Sequence, residues 1–546
     1  MDHQLPLSIL SWLVAILPMI TLIITLVVLQ WSAIRSAIIS LIVGLVTAYF
    51  VFETPLYGLT VSLAQGAWDA LEVVLVIWTA LLFYQLCRHA GAFVAIKEGI
   101  TAISHNYLYL ILIFGWIFTS LLQGVTGFGA PMAIVAPILI GIGVKPAYAV
   151  LITLTSSSWS NLFGSLGVAW TTTLGLVQLE NESLSLLYTS ILLWIAALIG
   201  GLFTAWLYGK WQAIKEGLPA ILIISTIYGG GQLLATQVEA TIGVVLPGII
   251  AMGAMVALAK WDRYKEASDH LDPSQSPIMQ DNFDGGASDQ ENWGNLSLNQ
   301  AFAPFYLLIA LSIIMLGIPT ISNWISSFEF SLLSYESFAT GYQFVTEGSS
   351  AYSPFAPLTS PAVYLLASSL FAYLYYRAKG SYDHAENLGA SLGQDVWADA
   401  LTPTISTIGF LMVSKLLVNS GQNTVIALGI AAVSTPLIYA AIAPLIGIFS
   451  SFMTSSTTSG NILFIPIHQS VVQAMPQLSI HQLVASQSAG ASVGNAIGPS
   501  NVVLGASTAN AEEDTGLIYK WGIVFSLFVG LFMAIFAVIM YLYLAS

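Results

Sequence analysis

The uncharged polar chemistry of this chain is concentrated in four short stretches. In SSFMTSSTTSGN the residues Thr454, Ser455, Ser456, Thr457, Thr458, Ser459 and Asn461 crowd together, and in QGVTGFGAP the residues Gln123, Gly124, Thr126, Gly127, Phe128 and Gly129 precede Pro131. TSSSWSNLFGSLG brings Ser156, Ser157, Ser158 and Asn161, and SQSAGASVGNAIGPSN brings Gln487, Ser488, Asn495, Ser500 and Asn501. Hydroxyls and amides offer neutral donors and acceptors, and glycine lets a ligand come close to the backbone. Such groups suit the holding of a small ion better than the breaking of a bond. The histidines, His3, His89, His105, His270, His384, His468 and His481, form no HExxH or comparable spacing, so no enzyme is expected. The aspartates between 272 and 295 miss the calcium-loop spacing.

What surrounds these stretches is apolar. Over 546 residues the chain is 57% hydrophobic and 7% charged, with a mean hydropathy of +0.83. That is more apolar surface than a soluble globule can hide. The expected fold class is an all-α polytopic membrane protein, with crossings near 8–30, 33–53, 70–88, 146–178, 184–208, 217–237, 241–259, 301–322, 361–376, 401–419, 479–510 and 519–544. Of these about 12 transmembrane helices, 146–178 and 479–510 are broken by polar residues. Segments 106–143 and 436–475 are apolar but interrupted at the middle, and read as two re-entrant hairpins. Irregular backbone at that depth survives only where protein or a water-filled cavity surrounds it. The stretch from Leu7 to Trp31 is too long for a signal-peptide core and reads as a retained span.

Twelve of the thirteen basic residues fall on one side if the N- and C-termini lie outside, the first hairpin dips from the cytoplasm and the second from outside. The thirteenth, Lys415, interrupts an apolar run. It reads either as a counter-ion for an anion or, preferred here, as a side chain snorkelling to the outer interface. A net charge of -14 argues against nucleic acid as a partner. The single cysteine, Cys87, excludes an intramolecular disulfide. Residues 272–295 read as a disordered linker with almost nothing to bury.

A shift of 330 positions lays 81–104 on 411–434 without a gap, with Gly91 on Gly421, Gly99 on Gly429 and Ser104 on Ser434 among the identities. The same shift lays QGVTGFGA (123–130) on MTSSTTSG (453–460). With the topology above, the two copies are inverted repeats, the build of many secondary transporters that bind substrate where broken helices meet. The expected organisation is N-terminal scaffold helices (1–69), a first repeat (70–178), further scaffold (179–260), a cytoplasmic linker (261–300), scaffold again (301–383), a second repeat (384–510) and a C-terminal helix (511–546). A hairpin tip exposes the start of its second half-helix, where free amides and the dipole favour an anion. Pro131 suits the first turn of such a half-helix. The amphipathic stretches 92–104 and 386–401 are expected along the membrane surface. Asp69, Glu72, Glu98, Asp395 and Asp399 are expected at helix ends or interfacial stretches, poorly placed to couple transport to a cation.

At QGVTGFGAP, MTSSTTSGNILF, SVGNAIGPSNV and the early LPMI, the sequence resembles the L-lactate permease family of lactate and glycolate transporters, over nearly the whole chain in layout. The resemblance implies a symporter in the plasma membrane for a small 2-hydroxymonocarboxylate. By its hairpins and broken helices the layout is also similar to the broader ion-transporter superfamily, which implies an elevator-like motion of a substrate-carrying part against a scaffold. The family resemblance also implies glutamate, aspartate and lysine where this chain has Gln123, Thr457 and Asn495. A proton carrier near the substrate would thereby be missing, which points to sodium held by oxygens at the tips as the companion cation, with the coupling ion sodium or a proton. The competing reading is that the lost charge means a changed substrate, including a less acidic or neutral one. The alternative is a sodium-coupled dicarboxylate symporter. The partners expected are a small anion and the lipid bilayer, with a homodimer left open.

Overall fold

The structure, a computed structural model, describes residues 5–545 apart from 6–7, 26–28, 30, 102–103, 126–129, 269, 281–295, 316–317, 331–333, 350–354 and 384–386. Its regular elements among the described residues are helices and one two-stranded hairpin pairing Phe338–Ala339 with Val345–Thr346. Among the described residues eight helices are long and apolar enough to cross a membrane: Ala33–Phe50, Leu56–His89, Tyr107–Val125, Glu182–Val238, Ala240–Leu258, Leu388–Asn419, Pro436–Thr454 and Thr515–Leu544. Shorter apolar helices, Ile9–Ile23 and Gln422–Val433 among them, pack beside these. Glu182–Val238 is not straight. Gly209 and Lys210 leave helical geometry, at the connection expected between the 184–208 and 217–237 crossings.

Two long helices, Leu56–His89 and Leu388–Asn419, pack against each other and form the central seam. Each ends alike. Ala90 and Ser420 sit at the C-cap with ψ of -6° in both, followed by Gly91 at φ 72° and Gly421 at φ 78°. A left-handed residue at that position lets the last turn close its hydrogen bonds, and glycine adopts it without steric cost. The contact is close at Gly66, where a Cβ would lie 2.5 Å from the Met412 Cα.

The polar contacts along the seam are reciprocal under the 330-residue shift. Lys415 Nζ lies 2.7 Å from Asp69 Oδ2, while Gln85 Nε2 donates to Asp399 Oδ2 at 2.9 Å; 69 + 330 gives 399 and 85 + 330 gives 415. Asn419 Nδ2 donates to Gln65 Oε1 at 2.8 Å, while His89 Nε2 meets Asp395 Oδ2 at 3.0 Å; 65 + 330 gives 395 and 89 + 330 gives 419. Each side chain thus faces the mate of the residue that its own mate faces.

Three expectations change here. Asp69 and Glu72 do not lie at a helix end, since the helix begins at Leu56 and carries both in its interior. Asp395 and Asp399 likewise lie inside one helix, because 386–401 does not form a separate surface stretch but runs, from Leu388, into the crossing as far as Asn419. Burial of Leu392, Val396 and Ala400 holds it there. Lys415 does not snorkel outward, because Asp69 captures it; the two side chains are 20% and 13% exposed. The stretch 92–104 forms a helix, Ala92–Thr101, that buries Ala92, Phe93, Ala95 and Ile96.

The linker is also more ordered than its composition implies. Val144 and Met279 form a β-bridge, Ile278 and Met279 are buried, and Lys145 N donates to Ile278 O at 2.7 Å. Ser276 Oγ donates to Tyr208 O at 2.6 Å. Two apolar residues and an edge of free backbone suffice to fasten 276–280 to the turn after the first hairpin; 281–295 lie outside the described residues.

Removing one partner of a buried ion pair leaves an uncompensated charge, at about 3 kcal/mol. Lys415→Met is therefore expected to lower the melting temperature in detergent, and Asp69→Asn combined with it to restore most of the loss. A Lys415→Met protein as stable as wild type would show that the pair contributes nothing to the fold.

Candidate substrate site

The second hairpin is described throughout. Thr435 caps its first helix by accepting from Ile438 N, Pro436 occupies the first turn, and the helix ends at Thr454. Ser455 then turns the chain at φ 54°, ψ 24°, a left-handed conformation uncommon outside glycine. Ser456 caps the returning helix, Thr457–Ala474, its side chain accepting from Ser459 N at 3.2 Å. The turn is held from outside: Ser500 N donates to Ser455 Oγ at 3.0 Å and Asn501 Nδ2 to Ser455 O at 3.2 Å. Asn501 Nδ2 also donates to Asn495 O at 3.0 Å and to Asn495 Oδ1, and Asn495 Nδ2 reaches Thr457 Oγ1 at 3.4 Å.

In the first hairpin the inbound helix, Tyr107–Val125, widens to a π-helix over Leu112–Phe118. The outbound helix, Ala130–Gly141, has Pro131 in its first turn. The tip residues Thr126, Gly127, Phe128 and Gly129 lie outside the described residues.

Both interrupted helices are present. The first runs Pro146–Ser157, breaks, and resumes at Gly164, with Ser165, Leu166 and Gly167 in left-handed geometry. The second runs Ile480–Gly494, passes through a 3-10 turn at Asn495–Ile497 and resumes as Pro499–Thr508. The breaks touch each other. Ser492 Oγ donates to Ser158 O at 2.5 Å and accepts from Leu162 N at 3.1 Å, and Asn161 Nδ2 donates to Ser492 O at 3.1 Å. One serine of the second helix thereby satisfies a carbonyl and an amide that the first break releases.

Beside this crossing lies a cavity of about 350 Å³. Gln123 from the first hairpin, Ser157 and Asn161 from the first break, Thr454 to Ser459 from the second tip, and Asn495, Ser500 and Asn501 from the second break all line it. The structure places the remaining described candidates behind the wall. Asn461 Nδ2 donates to Thr173 Oγ1 at 2.9 Å and Ser488 Oγ at 3.0 Å. Gln487 Oε1 meets His468 Nε2 at 3.1 Å and its Nε2 donates to Ser450 Oγ at 2.9 Å. Ser156 and Ser158 are fully buried in the first broken helix, and Gly124 faces Val244 and Val245. Gly164 supports the wall by its size, since a Cβ there would lie 2.8 Å from Gln123 O.

One wall was missing from the sequence reading: Asp399, Thr402, Ser406 and Thr407 of the helix Leu388–Asn419. The signal was available, because the ungapped 330-residue register extends back from Leu81 to lay Asp69 on Asp399. A smaller cavity of about 130 Å³, lined by Asp69, Glu72 and Thr172 among others, shares Val73 and Val168 with the large one.

Leaving a buried amide and carbonyl unpaired costs about 1–3 kcal/mol each. Ser492→Ala is expected to lower the melting temperature in detergent, and a double-mutant cycle with Asn161→Ala to show non-additivity, since both act on one crossing. Strict additivity would mean that the breaks are held by other contacts.

A family model described as L-lactate permease matches residues 11–544. The chain is 27% identical over 538 residues to the L-lactate permease of Halalkalibacterium halodurans, covering 97% of each. It is 24% identical over 556 residues to the glycolate permease GlcA of Escherichia coli, covering 95% of this chain and 93% of that one. It is 24% identical over 569 residues to the L-lactate permease of Bacillus subtilis, covering 96% and 95%. Among solved structures, the YdaH transporter of Alcanivorax borkumensis aligns over 88% of this chain and 86% of its own, at 11% identity and a TM-score of 0.43. With the family match running almost from end to end, the protein belongs to the L-lactate permease family.

Proposed function

We propose that this protein is a secondary active symporter of the plasma membrane for a small monocarboxylate such as L-lactate or glycolate. The observation that carries the reading is the convergence of hydroxyl and amide side chains from one hairpin tip, the end of the other hairpin's inbound helix and both helix breaks on one cavity of about 350 Å³. The relatives named above are lactate and glycolate permeases, and a carboxylate with an adjacent hydroxyl matches such a lining in both charge and hydrogen-bonding groups. The start of the helix Thr457–Ala474 faces the cavity and offers amides to the carboxylate.

The reciprocal seam contacts and the two left-handed glycines support a reading of 70–178 and 384–510 as inverted repeats, with 106–143 and 436–475 as re-entrant hairpins. On that reading the hairpins and broken helices form the part that carries substrate, the other helices form the scaffold, and the motion between them is elevator-like. The coupling ion is sodium or a proton. A helix terminus stabilises an anion by about 0.3–2 kcal/mol, less than the several kcal/mol that dehydrating a carboxylate costs, so a cation accompanies the substrate. A sodium-coupled dicarboxylate carrier is the second reading, favoured by the hydroxyl-rich tip from Thr454 to Ser459.

In proteoliposomes, labelled L-lactate is expected to show saturable counterflow that glycolate inhibits and succinate does not. Inhibition by succinate alone would give the dicarboxylate reading its place, and flux without saturation would indicate a pore. Removing sodium at fixed pH separates the two coupling ions: unchanged uptake excludes sodium.

A further inference from the structure

The cavity that receives the substrate contains a titratable group that the sequence reading set aside. Among the described residues lining it, Asp399 is the one with an ionisable side chain, and it is exposed. Its mate across the seam, Asp69, has a different fate. Asp69 lines the smaller cavity and is held at 2.7 Å by Lys415, while Asp399, among the described residues, is hydrogen-bonded by the uncharged Gln85 amide at 2.9 Å. The same reciprocal contact therefore exists in two chemical versions, one locked by a cation and one free to change charge.

The charged and titratable groups around Asp399 fit that difference. On the facing helix, Arg88 Nη1 donates to Gln85 Oε1 at 3.3 Å, and its charge reaches Asp399 across that amide without a direct ion pair among the described residues. His89 is engaged by Asp395, one turn before Asp399 on the same helix. The Tyr84 phenol is close enough to interact with it. The cavity residues that face it from other elements, including Ala33, Gln123, Thr457 and Asn495, are all uncharged. A carboxylate placed beside an anion in such a lining repels it, whereas the protonated acid is neutral and can donate a hydrogen bond.

Resting on the monocarboxylate reading above, we infer that Asp399 takes up and releases the coupling proton. A proton from the outer solution adds to a carboxylate oxygen of Asp399 on the scaffold helix Leu388–Asn419, the substrate anion is carried past the neutral acid, and the proton is then lost to water inside. One proton and one anion move and nothing else is consumed. Asp69, paired with Lys415 at 2.7 Å, takes no part in the step.

The test uses the full-length protein. In sodium-free proteoliposomes, Asp399→Asn is expected to retain L-lactate counterflow at equal pH on both sides and to lose uptake driven by an inward proton gradient, while Asp399→Glu keeps driven uptake with a displaced pH profile. Driven uptake that survives in Asp399→Asn overturns the assignment. So does loss of counterflow in a variant with wild-type melting temperature, which would make Asp399 a substrate ligand. A second readout needs no substrate. The infrared carbonyl band of a protonated acid is expected to titrate in the wild-type protein in lipid and to vanish in Asp399→Asn; a band unchanged by the substitution also overturns the assignment. If that band behaves as expected while no monocarboxylate shows counterflow in wild type, the substrate reading fails and the proton site stands.

Discussion

A helix interrupted inside an apolar protein releases amides and carbonyls that water cannot reach, and each must find a partner or destabilise the fold. Here the two interruptions answer each other. The Ser492 hydroxyl bridges Ser158 O and Leu162 N, and Asn161 returns a bond to Ser492 O. The second hairpin turns beside them, its strained Ser455 held by Ser500 and Asn501. Side chains that can both donate and accept are required at such places, which explains why serine, threonine and asparagine gather where the helices stop. The same requirement leaves a pocket whose polar lining, apart from Asp399, is neutral.

Charge is kept to one side of that pocket. The seam of Leu56–His89 with Leu388–Asn419 collects the ion pair Asp69–Lys415 and the pair His89–Asp395. Placing charges between two helices that pack along their length keeps them out of lipid and gives each a partner, so the seam can be polar without being unstable.

Much of this organisation was legible. Both helix breaks and the turn at Ser455 between Pro436–Thr454 and Thr457–Ala474 followed from where glycine, proline and hydroxyl residues interrupt apolar runs. Lys210, with its neighbour Gly209, marks a real kink for the same reason. The long seam helices were cut short because hydropathy alone ends a crossing at its first charges. Asp69, Glu72, Asp395 and Asp399 looked like boundaries, yet both helices continue, with Lys415, His89 and Gln85 of the partner helix meeting Asp69, Asp395 and Asp399. Lys415 was misread for the same reason, its partner being 346 residues away in the chain. The fastening of 276–280 was hidden by composition, since Ile278 and Met279 are too few to register in a polar stretch although they are enough to anchor it.

The reciprocal seam has one more meaning. Gln65 with Asn419 and Asp395 with His89 are one contact made twice with different side chains. A substitution at any of these four positions can therefore be compared with its counterpart in the same molecule, under the same lipid, temperature and salt. The protein holds its own reference state for the energetics of a helix-helix polar contact.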